Sequence, residues 1–330
     1  MASSVTFLNG NKMPIIGLGT WQAESEKELE VALDAALEAG YRHIDTAYLY
    51  SNEHLIGKVL KKWFDSGKIK REDLFIVTKL PQIGMTPEKA THFVKKSLES
   101  LQLSYIDLYL MHAPIGFQYV NDETPIPMKD GKLLLDYSTD LTAIWKSLEK
   151  EVDAGRVRSL GISNFNESQV QRIFNVARHK PMNNQVEIHA YFQNKNVREV
   201  CEKLGITVCA YAPFGSPGRK EFFKARGWAS DFPTNGLLDD PVVAKIANKH
   251  GKSSGQVLLR FLAQQGIVVI PKSTNPARIL NNIQIFDFEL SLQEMKELSG
   301  LDQGDKGRTF YFIWEGVENH PECPFKMLQS

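Results

Sequence analysis

The stretch from Leu74 to His112, LFIVTKLPQIGMTPEKATHFVKKSLESLQLSYIDLYLMH, decides how the rest of the chain is read. Two short apolar runs, Leu74–Thr78 and Ile106–Met111, have the length and β-branched content of buried strands. Between them Thr86-Pro87-Glu88 opens a helix, with proline in the first turn where its missing N–H costs nothing. Phe93, Val94, Ser97, Leu98 and Leu101 share one face of that helix. Each strand runs straight into a functional side chain, Lys79 after the first and His112 after the second. Residues at the C-terminal ends of parallel strands share one face of a barrel or sheet, which is where such folds do chemistry.

The same rhythm extends in both directions. Further strands are predicted at Ile15–Leu18, Arg42–Ile44, Val157–Ile162, Asn184–Ile188, Thr207–Tyr211 and Ile267–Ile270. Ser25 and Glu28 form a capping box for a helix through Ala39, closed by Gly40. Asn166 and Gln169 open another helix, with Val170, Ile173, Phe174 and Ala177 inward. Asn194 opens a fourth, with Val197, Val200 and Leu204 inward and Gly205 as its stop. Alternating β and α from end to end implies a parallel sheet. Eight repeats in about 250 residues fit a single (β/α)₈ TIM barrel over residues 1–330. A doubly wound pair of halves fits less well, because no linker or composition break divides the chain. Two stretches break the rhythm. Gly215–Asp240 is rich in Gly, Pro and Ser and carries Phe222, Phe223, Trp228 and Phe232. Gly300–Ser330 carries Phe310, Tyr311, Phe312 and Trp314. Long irregular segments in a compact domain are usually functional, and both are expected to shape the substrate pocket.

Composition narrows the function. Lys plus Arg and Asp plus Glu are 39 each in 330 residues, so nothing favours nucleic acid or an anionic membrane. The basic-looking Lys58–Arg71 stretch is interleaved with acids and reads as a solvated helix face plus a loop. The 42% apolar and 24% charged content is that of a folded globular chain. Cys201, Cys209 and Cys323 have neither disulfide nor zinc spacing, so a reducing compartment, the cytoplasm, is expected. The N-terminus lacks a signal-peptide pattern. No stretch approaches the roughly 20 apolar residues of a membrane span. Asn166-Glu167-Ser168 fits a glycosylation sequon but reads better as a helix cap.

Read along the strand ends, each strand contributes something polar or aromatic: Gly19-Thr20-Trp21, then Asp45 and Tyr50, Lys79, His112, Ser163-Asn164, Gln185, Tyr211, and Lys272-Ser273. Asp45, Tyr50, Lys79 and His112 make chemical sense together. A lysine beside a tyrosine lowers its pKa, a carboxylate holds the lysine, and a histidine orients what binds. That set is a proton donor for a carbonyl oxygen. Two alternatives remain open on the residues alone: a Schiff-base aldolase using Lys79, and a non-enzymatic nucleotide-binding barrel. His43, His112 and His189 do not form a metal-ligand spacing. Gly17-Leu18-Gly19-Thr20-Trp21-Gln22 nearly imitates a dinucleotide fingerprint, but its sixth position is glutamine.

Gly40-Tyr41-Arg42-His43-Ile44-Asp45-Thr46-Ala47 with Glu53 and Gly57 resembles the first signature of the aldo-keto reductases. Gly161-Ile162-Ser163-Asn164-Phe165 resembles the second, and Ile270-Pro271-Lys272-Ser273 with Arg278 and Asn282 the third. The resemblance spans roughly Phe7 to Phe325. It is closest to the aldose and aldehyde reductases, with an insect source expected. The resemblance implies that Tyr50 is the general acid, that Lys79 and Asp45 tune it, and that His112 orients the carbonyl. It implies NADPH/NADP⁺ as cofactor. Ser163, Asn164 and Gln185 would bind the carboxamide, and Tyr211 would stack on the nicotinamide. Gly19, Thr20, Trp21 and Asp45 would lie beside the ring. Ala212, Pro213, Phe214, Gly215 and Ser216 would follow the dinucleotide after strand seven. Lys272, Ser273, Asn275 and Arg278 would grip the 2′-phosphate, with Ile270, Pro271, Thr274 and Asn282 around them. The substrate pocket would be Trp21, Leu49, Tyr50, Pro81, His112 and Ala113, with no metal. A closed barrel needs no partner, so a monomer acting on a small carbonyl compound is expected. Three departures stand out. A lysine–aspartate pair that straps the pyrophosphate in similar reductases is replaced by Gln22 and Gly218, so no strap is expected there. Asn281 replaces an acidic or small residue, which leaves an adenine contact open. Pro81 and Ala113 replace bulky tryptophans, which implies a wider pocket for bulky, apolar carbonyls.

Overall fold

Eight parallel strands follow one another around a single sheet. They are β1 Leu18–Gly19, β2 His43–Asp45, β3 Phe75–Leu80, β4 Leu108–Met111, β5 Leu160–Ser163, β6 Asn183–Glu187, β7 Thr207–Tyr211 and β8 Val268–Val269. The computed structural model describes residues 3–227, 236–311 and 316–325, so Trp228, Phe232, Phe312 and Trp314 lie outside the described residues. Register runs through Leu18↔Ile44, His43↔Phe75, Val77↔Leu108, Gly161↔Leu110, Ile162↔Asn184, Asn183↔Thr207 and Cys209↔Val268. Bridges Ile16↔Val269 and Gly19↔Lys272 join the first strand to the last and close the sheet into the predicted (β/α)₈ barrel. A Cβ on Gly19 would lie 2.7 Å from the Ile270 carbonyl oxygen, so the seam itself requires glycine there. Gly19 therefore serves barrel closure, a Cβ on Gly17 would run into the His43 ring, and no helix starts until Glu26, so the two glycines do not make a dinucleotide fingerprint.

The helices described are α1 Glu26–Glu38, α2 Glu53–Asp65, α3 Pro87–Leu101, α4 Leu141–Asp153, α5 Glu167–Val176, α6 Lys195–Lys203, α7 Arg219–Ala225, α8 Pro241–His250, α9 Ser254–Ala263, α10 Pro276–Ile283 and α11 Leu292–Ser299. Helix α3 starts at Thr86 and buries the expected face. Asn166 and Gln169 make a reciprocal capping box on α5, which accounts for the sequon-like triplet. Two expected caps are weaker. Ser25 accepts from the Glu28 amide without the return bond. Asn194 precedes α6 in a left-handed conformation, and its side chain caps nothing. Gly40, at φ +97°, ends the turn after α1 as expected.

The core has two parts. Between sheet and helices lies a continuous layer from Ile15 to Val317. Inside the barrel, Phe75, Val77, Leu108, Leu110, Cys209, Val268 and Ile270 pack with Met182. An N-terminal hairpin, Ser4–Thr6 with Lys12–Pro14, lies at the N-terminal end of that interior. It inserts Phe7 and Met13, 3% and 0% exposed, into the interior cluster. Burying each contributes about 1.5–3 kcal/mol, so the barrel bottom is plugged rather than open. Among the described residues, no helix is long and apolar enough to cross a membrane.

Candidate active site

The four residues singled out at the strand ends converge. Lys79, from β3, has no exposed surface. Its Nζ donates to Asp45 Oδ1 at 2.6 Å, to the Thr46 carbonyl at 2.7 Å and to Tyr50 Oη at 3.4 Å. Asp45 ends β2, and its second oxygen accepts from Gln185 Nε2 at 2.7 Å. Gln185, expected only to hold a cofactor, thus also braces the carboxylate from across the barrel. Tyr50 follows on a short 3₁₀ turn, Tyr48–Tyr50, and meets the His112 ring edge-on at 5.6 Å. Asn164 stands at φ +63°, a strained position for a non-glycine residue. Three bonds hold it there: its amide N–H to the Gln185 carbonyl, its side chain to the His112 carbonyl at 2.9 Å, and the Tyr211 hydroxyl to its Oδ1 at 2.7 Å.

Electrostatics separates the two candidate acids. Burial and the Lys79 charge hold His112 well below the usual imidazole value, so it is neutral at physiological pH. Burial raises Tyr50 and outweighs the opposing pull of Lys79, with the Asp45 charge adding to the rise. The expected net lowering of the Tyr50 pKa is therefore not found in the protein alone. Tyr50 keeps its proton, which a general acid must have before it can give it. Burial opposes the Lys79 charge, yet Asp45 and Tyr50 raise its pKa overall and keep it an ammonium.

Around this floor lies a cleft of about 1290 Å³. That exceeds the roughly 300–1,000 Å³ usual for one small ligand, leaving room for a dinucleotide and a substrate. Trp21, Leu49, Tyr50, His112 and Ala113 line one end. Gly19, Thr20, Asp45, Ser163, Asn164, Gln185 and Tyr211 line the middle. Ala212, Pro213, Phe214, Ser216, Ile270, Lys272, Ser273, Thr274, Arg278 and Asn282 continue the wall, with Asn281 beside them. Four expected contacts are not in the wall. Pro81 caps the 3₁₀ turn Gln82–Gly84, and Gln82 takes its place. Gly215 turns the chain at φ +69°. The Pro271 carbonyl accepts the Gly19 amide at the barrel seam. Asn275 caps α10 through the Arg278 amide.

The far end of the cleft is cationic. Lys272 and Arg278 make no ion pair with a carboxylate among the described residues. Burial, helped by Arg278, pushes the Lys272 pKa down against the opposing pull of Glu28 and Glu24. The Ser273 hydroxyl lies 3.4 Å from Arg278 Nε. Two cations and a hydroxyl on one wall suit a phosphate group.

The rim holds the expected aromatics Trp21, Phe222, Phe310 and Tyr311 together with Glu24, Ile126, Arg226 and Phe325, which sequence reading missed. Part of the Gly215–Asp240 segment is helical, as α7. Phe222 on α7 packs on Trp21 at 5.2 Å, and Phe310 packs on Trp21 at 5.5 Å and Tyr211 at 5.3 Å. Arg226 ion-pairs with Glu24 and lies 3.6 Å over the Phe222 ring. Gln22 and Gly218 form no strap, but this second pair of opposite polarity joins the same two loops. Ile126, Tyr311 and Phe325 complete the mouth. No periodicity marks these residues; only their three-dimensional neighbours do.

The sequence profile of the Aldo/keto reductase family matches residues 15–303, which takes in all eight barrel strands. The chain belongs to the aldo/keto reductase family. It is similar to "Aldo-keto reductase family 1 member A1" of Mus musculus, 44% identical over 92% of this chain and 90% of that one. It is also similar to "Prostaglandin F synthase 2" of Bos taurus, 39% identical over 97% of each. The aldose reductase from Schistosoma japonicum superposes with a TM-score of 0.88 at 40% identity over 99% of both chains. The protein is thus an oxidoreductase on the aldose reductase barrel, in a family whose members use nicotinamide cofactors.

Proposed function

We propose that this aldo/keto reductase reduces aldehydes and ketones to alcohols with NADPH, Tyr50 acting as general acid. The observation that carries the reading is the Asp45–Lys79–Tyr50 chain at the cavity floor, with Lys79 Nζ 2.6 Å from the carboxylate and 3.4 Å from the phenol. Lys272, Ser273 and Arg278 would hold the 2′-phosphate, which favours NADPH over NADH. Ser163, Asn164 and Gln185 would hold the carboxamide, with Tyr211 against the ring. The cofactor supplies the hydride to the carbonyl carbon. Tyr50 passes its phenolic proton to the carbonyl oxygen, and Lys79 stabilises the tyrosinate left behind. Neutral His112 orients that oxygen by a hydrogen bond and has no acidic proton to give. An ammonium held by Asp45 is a poor amine nucleophile, which disfavours a Schiff-base aldolase.

Small Ala113 and the walls of Trp21, Phe222 and Phe310 favour bulky apolar carbonyls: long-chain or terpenoid aldehydes, aromatic aldehydes or steroid ketones. The same reading includes a monomer, because the closed barrel exposes no main sheet edge, and a cytoplasmic setting, in keeping with its three free cysteines. Tyr50→Phe tests the mechanism. NADPH binding, followed by fluorescence quenching, is expected to persist while kcat falls at least ~10²-fold. Full retained turnover would refute the assignment.

A further inference from the structure

One buried carboxylate on the barrel is not used by the chemistry above. Glu187 ends β6 beside Gln185's strand position, is 1% exposed, and faces Tyr211 in the β6–β7 register. Its Oε1 accepts from the Thr309 amide at 2.7 Å and from the Thr309 hydroxyl, and its Oε2 accepts from the Phe310 amide at 2.9 Å. His189 Nε2 lies 3.1 Å from Oε1. These bonds cross 122 and 123 residues of sequence. The backbone they pin carries Phe310, whose ring meets Trp21 and Tyr211 edge-on and has the Arg219 guanidinium 4.6 Å above it. A ring held from its own backbone and on three sides is a rigid wall, not an adjustable one.

Building on the reductase reading above, we propose that Glu187 is a positioning residue for specificity: by clamping the tail at Thr309 and Phe310 it holds the Phe310 ring as a fixed wall of the substrate cavity, and so limits which carbonyl compounds fit. The carboxylate suits this role chemically. A dead-end strand terminus offers one side chain, and only an ionised carboxylate can accept from two amides and a hydroxyl at once without a donor of its own. Glutamine at the same place would accept at one oxygen and put an N–H against the Phe310 amide.

The test compares Glu187→Gln, Thr309→Val and Phe310→Ala in the full chain. Thr309→Val removes only the hydroxyl contact from a surface segment, so it keeps the barrel intact should Glu187→Gln fail to fold. Amide hydrogen exchange of peptides covering residues 305–311 reads the clamp without any turnover. Exchange is expected to quicken in Glu187→Gln and, less, in Thr309→Val. With NADPH, the ratio of kcat/KM for a naphthaldehyde to that for glyceraldehyde is expected to shift by ~10-fold in Phe310→Ala and in the same direction in Glu187→Gln. NADPH affinity by fluorescence quenching is expected to stay unchanged in all three. Unaltered exchange in both clamp variants overturns the proposal. So does a selectivity shift in Phe310→Ala that folded Glu187→Gln and Thr309→Val do not share. A wild-type protein that fails to oxidise NADPH with every carbonyl compound tested would sink the reductase reading instead, while exchange still decides the clamp.

Discussion

The floor and the rim of the cavity are built differently. On the floor, Asp45, Lys79 and Gln185 are at strand ends, where a backbone ladder on each side places the side chain. Their mutual bonds are short and dry. At the rim, Trp21, Glu24, Phe222, Arg226 and Phe310 come from loops and a short helix, and ring contacts and an ion pair join them. The floor is where charge is handled, so its errors cost rate. The rim excludes and admits, so its errors cost selectivity and timing.

That contrast can be broken at three points. The largest effect is expected on the floor. Lys79→Met leaves the Asp45 carboxylate buried without its cation, a loss of about 3–5 kcal/mol in stability. It also removes the one influence that pulls the Tyr50 pKa down, so burial and the Asp45 charge both push it up. The variant is expected to melt at a lower temperature and to lose at least ~10²-fold in kcat. Because Tyr50 already sits above its ordinary value of 10, wild-type reduction should show no loss from this group through neutral pH, only on an alkaline arm. Activity lost as pH rises through about 6.5, with that loss absent in His112→Gln, would instead make the histidine the proton donor. A smaller effect is expected at the cationic end. Lys272→Ala is expected to raise the NADPH KM by roughly 10-fold, the factor for a lost charge-assisted bond, and to leave NADH unchanged. Equal losses for both cofactors would mean that Lys272 does not read the phosphate. The smallest is at the rim. Arg226→Ala is expected to quicken NADP⁺ release in stopped flow by roughly two- to five-fold, as befits a half-exposed ion pair. A tenfold or larger change would show that the rim is as tightly built as the floor.

The same contrast explains what could be read from the sequence. Asp45, Lys79 and His112 were legible because an apolar run of defined length ends just before each one, and strand ends of a parallel fold share a face. Helix caps at Thr86 and Asn166 were legible because capping is local chemistry. The N-terminal plug was not, since Ser4–Thr6 is too short to carry a periodic signal. Helix α7 was hidden by the glycines and prolines before it. Glu187 and Thr309 meet across 122 residues, and no spacing rule connects them. The rise of the Tyr50 pKa is not legible, because neighbouring charges can be named from sequence, whereas the depth of burial that outweighs them cannot. Pro81 was placed in the wall by analogy, but the turn it caps sends Gln82 there instead.

The hairpin that inserts Phe7 and Met13 closes the bottom of the barrel beneath a packed interior, so ligands reach the cleft from the opposite face. A vessel stoppered at one end has a single doorway. Whatever settles deepest along the floor must enter first and leave last, and the second guest blocks its exit for as long as it stays. If the proposed reaction holds, this is kinetically a compulsory queue: carbonyl compound and alcohol would come and go while the dinucleotide waits beneath them. On that reading, excess alcohol should hold the spent cofactor in place and slow each cycle.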